Sequence, residues 1–332
     1  MVSIRSGFFY TRTVPCELWH FDRTKPADRK DKVLMLDARN IGQLMKGSRK
    51  VYEFTPEQSQ NIAAIVWLYR GQRDRFLALV KDYFARLCAE SAAIPAKLEA
   101  FDQSLASLQS LFAPAEKSKK LTETLAELRD AGKAYASDRT RLLADLAAFG
   151  KTNSKAPPAT NEKQHAARKP FDPVAEHIKG LIKQVDLLYK LAARANSAAA
   201  ELAKDESFAT VYDRRAPGKA LKQLEEKRKA AVEQLKHAAY FHRHIVWLQD
   251  RFPDAEIQSV LGLVKVVSQK EIEAADWSLT PGRYVGVAPQ EVDEDFDFEQ
   301  AITEIHTELA ALNKEAAGLA KSIQQNFEEL GV

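Results

Sequence analysis

Apolar and polar residues recur along this chain with two different periods, and the change of period divides it. Residues 1–54 are the only β-like stretch. "GFFYTRTVPCELWHF", residues 7–21, is rich in aromatic and β-branched residues. It reads as a strand end, a tight turn at "YTRT" and a second strand, "VPCELWHF". A charged turn containing Pro26 follows, and "KVLMLDARN" then supplies a short apolar run, Val33–Leu36, that fits a strand buried on both faces. Ile41–Lys50 reads as loop. Three strand-like segments are too few for an independent sheet with a covered core, so residues 7–36 are expected to lack neighbours and expose strand edges.

From residue 55 the period becomes helical. "TPEQ" at 55–58 is a helix start: Thr55 as N-cap, Pro56 at the first helical position and Gln58 placed to complete a capping box. The first helix carries Ile62, Ile65, Trp67, Leu68 and Tyr69. A second, with Leu77, Val80, Phe84 and Leu87, is expected to end near Pro95. Leu98, Phe101, Leu105, Leu108 and Phe112 are spaced by three and four. So are Leu121, Leu125, Leu128, Tyr135, Leu142, Leu146 and Phe149, a seam interrupted by Gly132 and Arg139. "GKTNSKAPPATNEKQHAARKP" at 150–170 breaks the pattern with adjacent prolines and reads as a loop or mobile linker. Helical runs follow at about 173–205 and 218–251.

Residues 251–286 read as irregular, with Pro253, Pro281 and Gly282 as breakers. A last helix runs from about Phe298 to Leu330. Its apolar positions are Phe298, Ile302, Ile305, Leu309, Leu312, Ala316, Leu319, Ile323, Phe327 and Leu330, the cleanest periodic signal in the chain. Such a seam calls for a helical partner, within the chain or on another subunit. The fold class expected is mainly α, with long helical, coiled-coil-like stretches following a few strands. Its segments are 1–54, linking helices at 55–95, a helical region at 96–250 with the basic linker inside it, and 251–332.

Composition narrows the function classes. At 332 residues, 45% hydrophobic and 29% charged, the chain has the make-up of a soluble protein that buries a core. Its formal net charge of +3 is too small to imply nucleic-acid binding by itself. The 150–170 stretch carries Lys151, Lys155, Lys163, Arg168 and Lys169 against one acid, Glu162. It is a candidate nucleic-acid contact or simply a solvated loop. Cys16 and Cys88 fit no metal-ligand spacing and read as reduced thiols. No stretch has the length of apolar residues that crosses a bilayer, and the first residues lack a signal-type apolar run, so a cytoplasmic chain is the default expectation.

Motifs of self-contained catalysis are missing. There is no G-x-G loop for a dinucleotide or S-adenosylmethionine (AdoMet), no phosphate loop, no H-E-x-x-H and no G-x-S-x-G. His242 and His244 lie two apart, on different faces of a helix. His237 and His244 share a face without a completing ligand set. "DEDFDFE" at 293–299 places acids at a helix start, favourable to the helix dipole, and lacks the glycine of a calcium loop.

Two stretches resemble one family. "SGFFYTRTVPCELWHFDRTKPADRKDKVLMLDARNIG" resembles the strand–turn–strand and "DAR" segment of type I restriction–modification DNA methyltransferase subunits. "GLVKVVSQKEIEAADWSLTPGRYVGV" resembles the W-x-L-x-P-G-R-Y-V segment near the C-terminus of the same subunits, and the two occur in the family's order. The helical middle, including "YFHRHIVWLQDRFPDAE", is similar to a helical insertion of one branch. The resemblance implies a Rossmann-like methyltransferase domain with a helical C-terminal part, and AdoMet-dependent methylation of adenine N6 in DNA. It also implies a specificity subunit and a restriction subunit as partners. The family's glycine-rich AdoMet loop and its Asn/Asp-Pro-Pro-Phe/Tyr loop both lie N-terminal to the matched region. Neither is present, and "APPA" at 156–159 lacks the flanking residues of the second.

The chain therefore resembles the C-terminal part of a modification subunit, expected to hold no cofactor and to be inactive alone. By position Phe9 and Tyr10 match the family's target-base pocket, where an aromatic face meets an extruded base; packing is the plainer role for both. Arg283 and Tyr284 of the "PGRYV" segment are candidates for DNA contact or for a structural turn. The resemblance points the Phe298–Leu330 seam at the specificity subunit's helices, while docking on the chain's own helices stays open. A stand-alone helical scaffold with no catalytic role is the alternative reading.

Overall fold

The computed structural model describes residues 1–9, 13–45, 47, 48, 50–112, 119–202 and 215–287, together with Ile302, Leu309, Asn313, Ala316 and Ala320. The chain divides into two units, Met1–Gly286 and Val287–Val332. In the second, Val287 is exposed and outside any helix, the other five described residues are helical, and Ile302 and Leu309 are about half exposed. The other seam residues, Phe298, Ile305, Leu312, Leu319 and Ile323, lie outside the described residues, as does Tyr10.

The first unit is mainly helical and contains a small mixed sheet. Its strands are β1 (Val2–Ile4), β2 (Cys16–Leu18), β3 (Lys32–Asp37) and β6 (Val264–Ser268), in the order β2-β1-β3-β6. β1 runs antiparallel to β2 and parallel to β3, and β3 runs antiparallel to β6. Two short strands, β4 (Gln43–Leu44) and β5 (Tyr52–Glu53), pair separately. β3 is covered on both faces, as its unbroken apolar run requires. Leu34 and Leu36 point into the main core, while Met35 joins a second cluster with Val267, Ile272 and Val285.

Three strand expectations change. Residues 251–286 are not irregular throughout, because Val264–Ser268 supplies the missing neighbour of β3. β3 is therefore flanked on both sides, and the edges of the sheet are β2 and β6. The opening strands pair as expected of a hairpin, but the first is β1 at Val2–Ile4, joined antiparallel to Cys16–Leu18; most of the expected "YTRT" turn lies outside the described residues.

The helices are α1 (Pro56–Tyr69), α2 (Arg73–Ser110), α3 (Lys119–Asn153), α4 (Asn161–Arg168), α5 (Asp172–Leu202), α6 (Arg215–Arg251), α7 (Gln269–Ala274) and α8 (Gly282–Val285). The expected start of α1 holds in atomic detail: Thr55 Oγ1 accepts from Gln58 N at 3.1 Å, and Gln58 Oε1 accepts from Thr55 N at 2.9 Å. α2, at 38 residues, extends about 57 Å at the α-helical rise. It packs lengthwise against α6, and α3 packs against α5. Arg139, which interrupts the apolar seam of α3, is a cross-link instead. It meets Asp102 at 2.7 Å, the same carboxylate that accepts from the Tyr135 hydroxyl. Arg228 to Asp186 ties α6 to α5, and Gln234 to Glu90 ties α6 to α2.

Two expected breaks in the helices are absent or smaller. α2 runs straight through Pro95, whose neighbours Ser91, Ile94 and Leu98 are buried while Pro95 itself is exposed. Burial of the face around it outweighs the lost hydrogen bond to the Ser91 carbonyl. Pro95→Ala is therefore expected to raise stability by about 1–3 kcal/mol, read as an increased urea midpoint with unchanged slope. The 150–170 linker is also largely ordered. α3 continues to Asn153, and α4 is anchored by two buried amides. Gln164 donates to the Leu77 and Pro158 carbonyls, and Asn161 donates to the Pro253 carbonyl at 2.7 Å.

Candidate functional site

The structure brings the "DAR" and "PGRYV" segments together at one end of the sheet. β3 ends at Asp37, whose nearly buried carboxylate is gripped by Arg39: Nε donates at 2.9 Å, Nη2 at 2.6 Å, and the Arg39 amide at 3.0 Å. That carboxylate holds the guanidinium proton above its ordinary range. α8 then passes so close that a Cβ on Gly282 would lie 2.7 Å from Arg39 Nη2. Gly282→Ala is expected to dislodge this bidentate pair and cost about 1–2 kcal/mol despite the better helix propensity of alanine, measurable as a lowered Tm.

The neighbouring residues are held from within the chain. Tyr284 donates its hydroxyl to the Ser278 carbonyl at 2.5 Å and packs against the second cluster. The exposed Arg283 reaches the Ala275 carbonyl at 3.4 Å. Asp276 and Trp277 both adopt positive φ (54° and 56°), at the turn that ends α7, and the Trp277 ring is more than half exposed. Of the two DNA-contact candidates, Arg283 faces solvent and Tyr284 acts as a structural tether.

The opening segment separates its aromatic residues. Phe8 stacks on Phe54 with ring centroids 4.3 Å apart and lies over Gly42. Phe9 is half exposed and available. Gly7, at φ +83°, brings its carbonyl to the Tyr52 amide, and a Cβ there would meet the Lys50 carbonyl at 2.5 Å. Beyond it, among the described residues, β2 pairs only with β1. Leu18 lies opposite Val2, and Trp19 follows on the other face, yet both are about half exposed, as are Val14 and, more fully, Phe21. An edge strand with apolar groups uncovered on both faces has the character of an interior strand.

Lys163 on α4 and Lys169 just beyond its end are exposed. Arg168 is committed to Asp172 (3.3 Å) and Asp250 (2.5 Å), so it clamps α4 to α5 and α6 rather than facing outward. The basic stretch thus keeps only part of its charge free for an external anion.

A polar cluster between α1, α2 and α6 escapes sequence reasoning. Tyr83, fully buried, donates toward Asn61 Oδ1 (3.0 Å) and the Glu57 carbonyl (3.2 Å). Asn61 Nδ2 lies 2.9 Å from His244 Nδ1. Tyr240 reaches Thr55 Oγ1 (2.8 Å) and Glu57 Oε2 (2.9 Å), and Arg86 pairs with Glu57. Burial lowers His244 to about 4 and pushes Tyr240 up to about 12; it also carries Tyr83 well above the usual phenol range. These groups are held neutral at pH 7, suited to fixed hydrogen bonding and not to proton transfer near neutrality. Their helical spacing could have suggested one shared face, but the pairing of Asn61 with His244 spans too much sequence to be read from it.

The fold and these sites define a mainly helical protein in which the long helices α2, α3, α5 and α6 pack together and a short mixed sheet accompanies them. Among the described residues no helix is long and apolar enough to cross a membrane, and no cluster of His, Cys, Asp or Glu could hold a metal ion. No family model, curated protein or solved structure matches the chain.

Proposed function

We propose that this chain is the C-terminal part of the modification subunit of a type I restriction–modification system. It contributes to AdoMet-dependent methylation of adenine N6 in DNA once the AdoMet and target-base loops are supplied by another part of the assembly. The observation that carries the reading is the meeting of the two family-like stretches. Leu36 of the first is paired with Val264 of the second, roughly 230 positions away, and Gly282 lies against the Asp37–Arg39 pair. Segments alike by chance have no reason to become neighbours across a helical region of that length.

The free edge of β2 supports the same reading. Its two uncovered apolar faces suit a strand that continues into a larger, doubly covered sheet. In this reading Phe9, with Tyr10, faces the extruded base, and Arg283, Lys163 and Lys169 approach the DNA backbone. The Phe298–Leu330 seam docks on the specificity subunit, and the restriction subunit joins for cleavage. The residues of this chain do not fit AdoMet itself. It has no G-x-G loop, and the carbonyl of Pro158 in its one Pro-Pro pair is occupied by Gln164. No chemical step is assigned to the chain alone.

Calorimetric titration with AdoMet tests this directly. The chain alone should show no heat of binding and no methyl transfer to DNA. Transfer should appear when the N-terminal catalytic part and a specificity subunit of a type I system are co-expressed with it. Saturable AdoMet binding by the isolated chain would sink the proposal. The length of the bundle favours the alternative of a stand-alone helical scaffold, which predicts no transfer in either preparation.

A further inference from the structure

We infer that a pocket at the C-terminal end of α1 binds an organic phosphate of about mononucleotide size, a site independent of the methyltransferase reading. The pocket, about 430 Å³, lies between the 25–32 turn, the end of α1 and the segment leading into β6. That volume falls within the range of small-molecule sites. Three cations, Arg29, Lys32 and Arg70, line it against a single acid, Asp28, whose side chain is about three-quarters exposed to water. Leu68, Ile257 and Val266 form an apolar wall.

A helix C-terminus ordinarily presents bare carbonyls that repel an anion. Here they are answered. The Arg70 amide reaches the Val66 and Trp67 carbonyls, Gly71 N donates to Leu68 O, and Gln72 N donates to Trp67 O. Arg29 Nη1 takes the Tyr69 carbonyl at 2.8 Å. Gly71, at φ +72°, makes the turn that permits this. Arg29 is further fixed over the Tyr69 ring, and the Tyr69 hydroxyl donates to the Lys32 carbonyl at 3.0 Å, closing the floor.

Lys32 and Arg70 are left without a salt bridge among the described residues; Arg70 has only His20 Nε2, at 3.3 Å. The nearby Asp22 is turned to Thr24, which donates to it from both amide and hydroxyl at 2.9 Å. Two exposed cations without a salt bridge, beside a pre-organised guanidinium and an apolar wall, are complementary to a phosphate carried on a flat organic body. The phosphate could belong to a free nucleotide or to a nucleic-acid strand.

The test is calorimetry on the full chain at low salt with four probes: deoxyadenosine 5′-monophosphate, inorganic phosphate, deoxyadenosine and a short DNA duplex. Lys32→Ala and Arg70→Ala remove exposed side chains and should leave the Tm unchanged. Lys97→Ala, on the exposed face of α2, controls for lost charge. Expected is saturable nucleotide binding weakened about tenfold or more by each pocket variant and unaffected by the control, with inorganic phosphate weaker and the nucleoside unbound. The same variant dependence for the duplex, with weak nucleotide binding, assigns the phosphate to a nucleic-acid backbone and also supports the site. The inference is overturned by absence of saturable binding to nucleotide and duplex, by binding indifferent to Lys32 and Arg70, or by inorganic phosphate binding as tightly as the nucleotide. None of these results bears on AdoMet binding, so the functional proposal stands or falls separately.

Discussion

Val267→Asp should cost about 3–5 kcal/mol and should release one part of the molecule before the rest. Val267 is completely buried, faces Val33 across the β3–β6 ladder, and packs in the cluster formed with Met35, Ile272 and Val285. A carboxylate placed there loses its hydration and meets apolar neighbours. The bundle has its own extensive core, so the helical signal in circular dichroism should persist while the segment from about 256 to 286 becomes cleavable by protease. Val267→Ile, which keeps shape and polarity class, should cost less than about 1.5 kcal/mol. A urea-derived loss below about 1 kcal/mol for the aspartate variant would mean that β6 contributes little to holding the sheet.

Acid should destabilise the first unit by about 3 kcal/mol between pH 6.5 and 4, through His244. Burial holds this imidazole near 4 in the folded chain, against an ordinary value of 6.5. Above pH 6.5 neither state is protonated and the full stability is present. As pH falls toward 4 the unfolded chain takes up a proton that the folded chain refuses, and stability declines. Below 4 both states carry it and the decline from this group levels off. His242, also lowered by burial against the opposing pull of Asp172, works in the same direction. His244→Asn keeps an acceptor for Asn61 but cannot titrate. Chemical denaturation across this range should therefore show a shallower slope for the variant, and an unchanged slope would place the acid sensitivity elsewhere.

Local signals in the sequence were reliable where a short-range mechanism decides the outcome. The Thr55–Gln58 capping box is complete within four residues, and the apolar run of Val33–Leu36 carries its double coverage in its own composition. Expectation failed where distant packing decides. Pro95 marks a stop for an isolated helix, but Ile94, Leu98 and Phe101 bury a face that carries α2 past it. α4 was invisible because its buried residues, Asn161 and Gln164, are polar and leave no apolar period. β6 is β-branched at Val264, Val266 and Val267, yet a five-residue strand has no meaning until its partner is known, and that partner is β3. At the candidate site the motif residues were visible, whereas the split between a packed Phe8 and an exposed Phe9 depends on Gly42 and Phe54.

The insertion of the whole bundle between β3 and β6 sets an order of assembly. Pairing these strands directly from an open chain would require closing a loop of roughly 230 residues, and contacts at such separation are slow to form. Helix contacts between chain neighbours such as α1 and α2, or α5 and α6, close much shorter loops. Pulse-labelled amide exchange should accordingly find α5 and α6 protected before β3. Because α2 and α6 lie side by side, the finished bundle returns the chain to within reach of the strand it left, and the long closure collapses to a short one. During synthesis β3 therefore waits, with one edge unpaired, until nearly the entire first unit has emerged. The helices are in this sense a clasp, and the sheet forms only when it shuts.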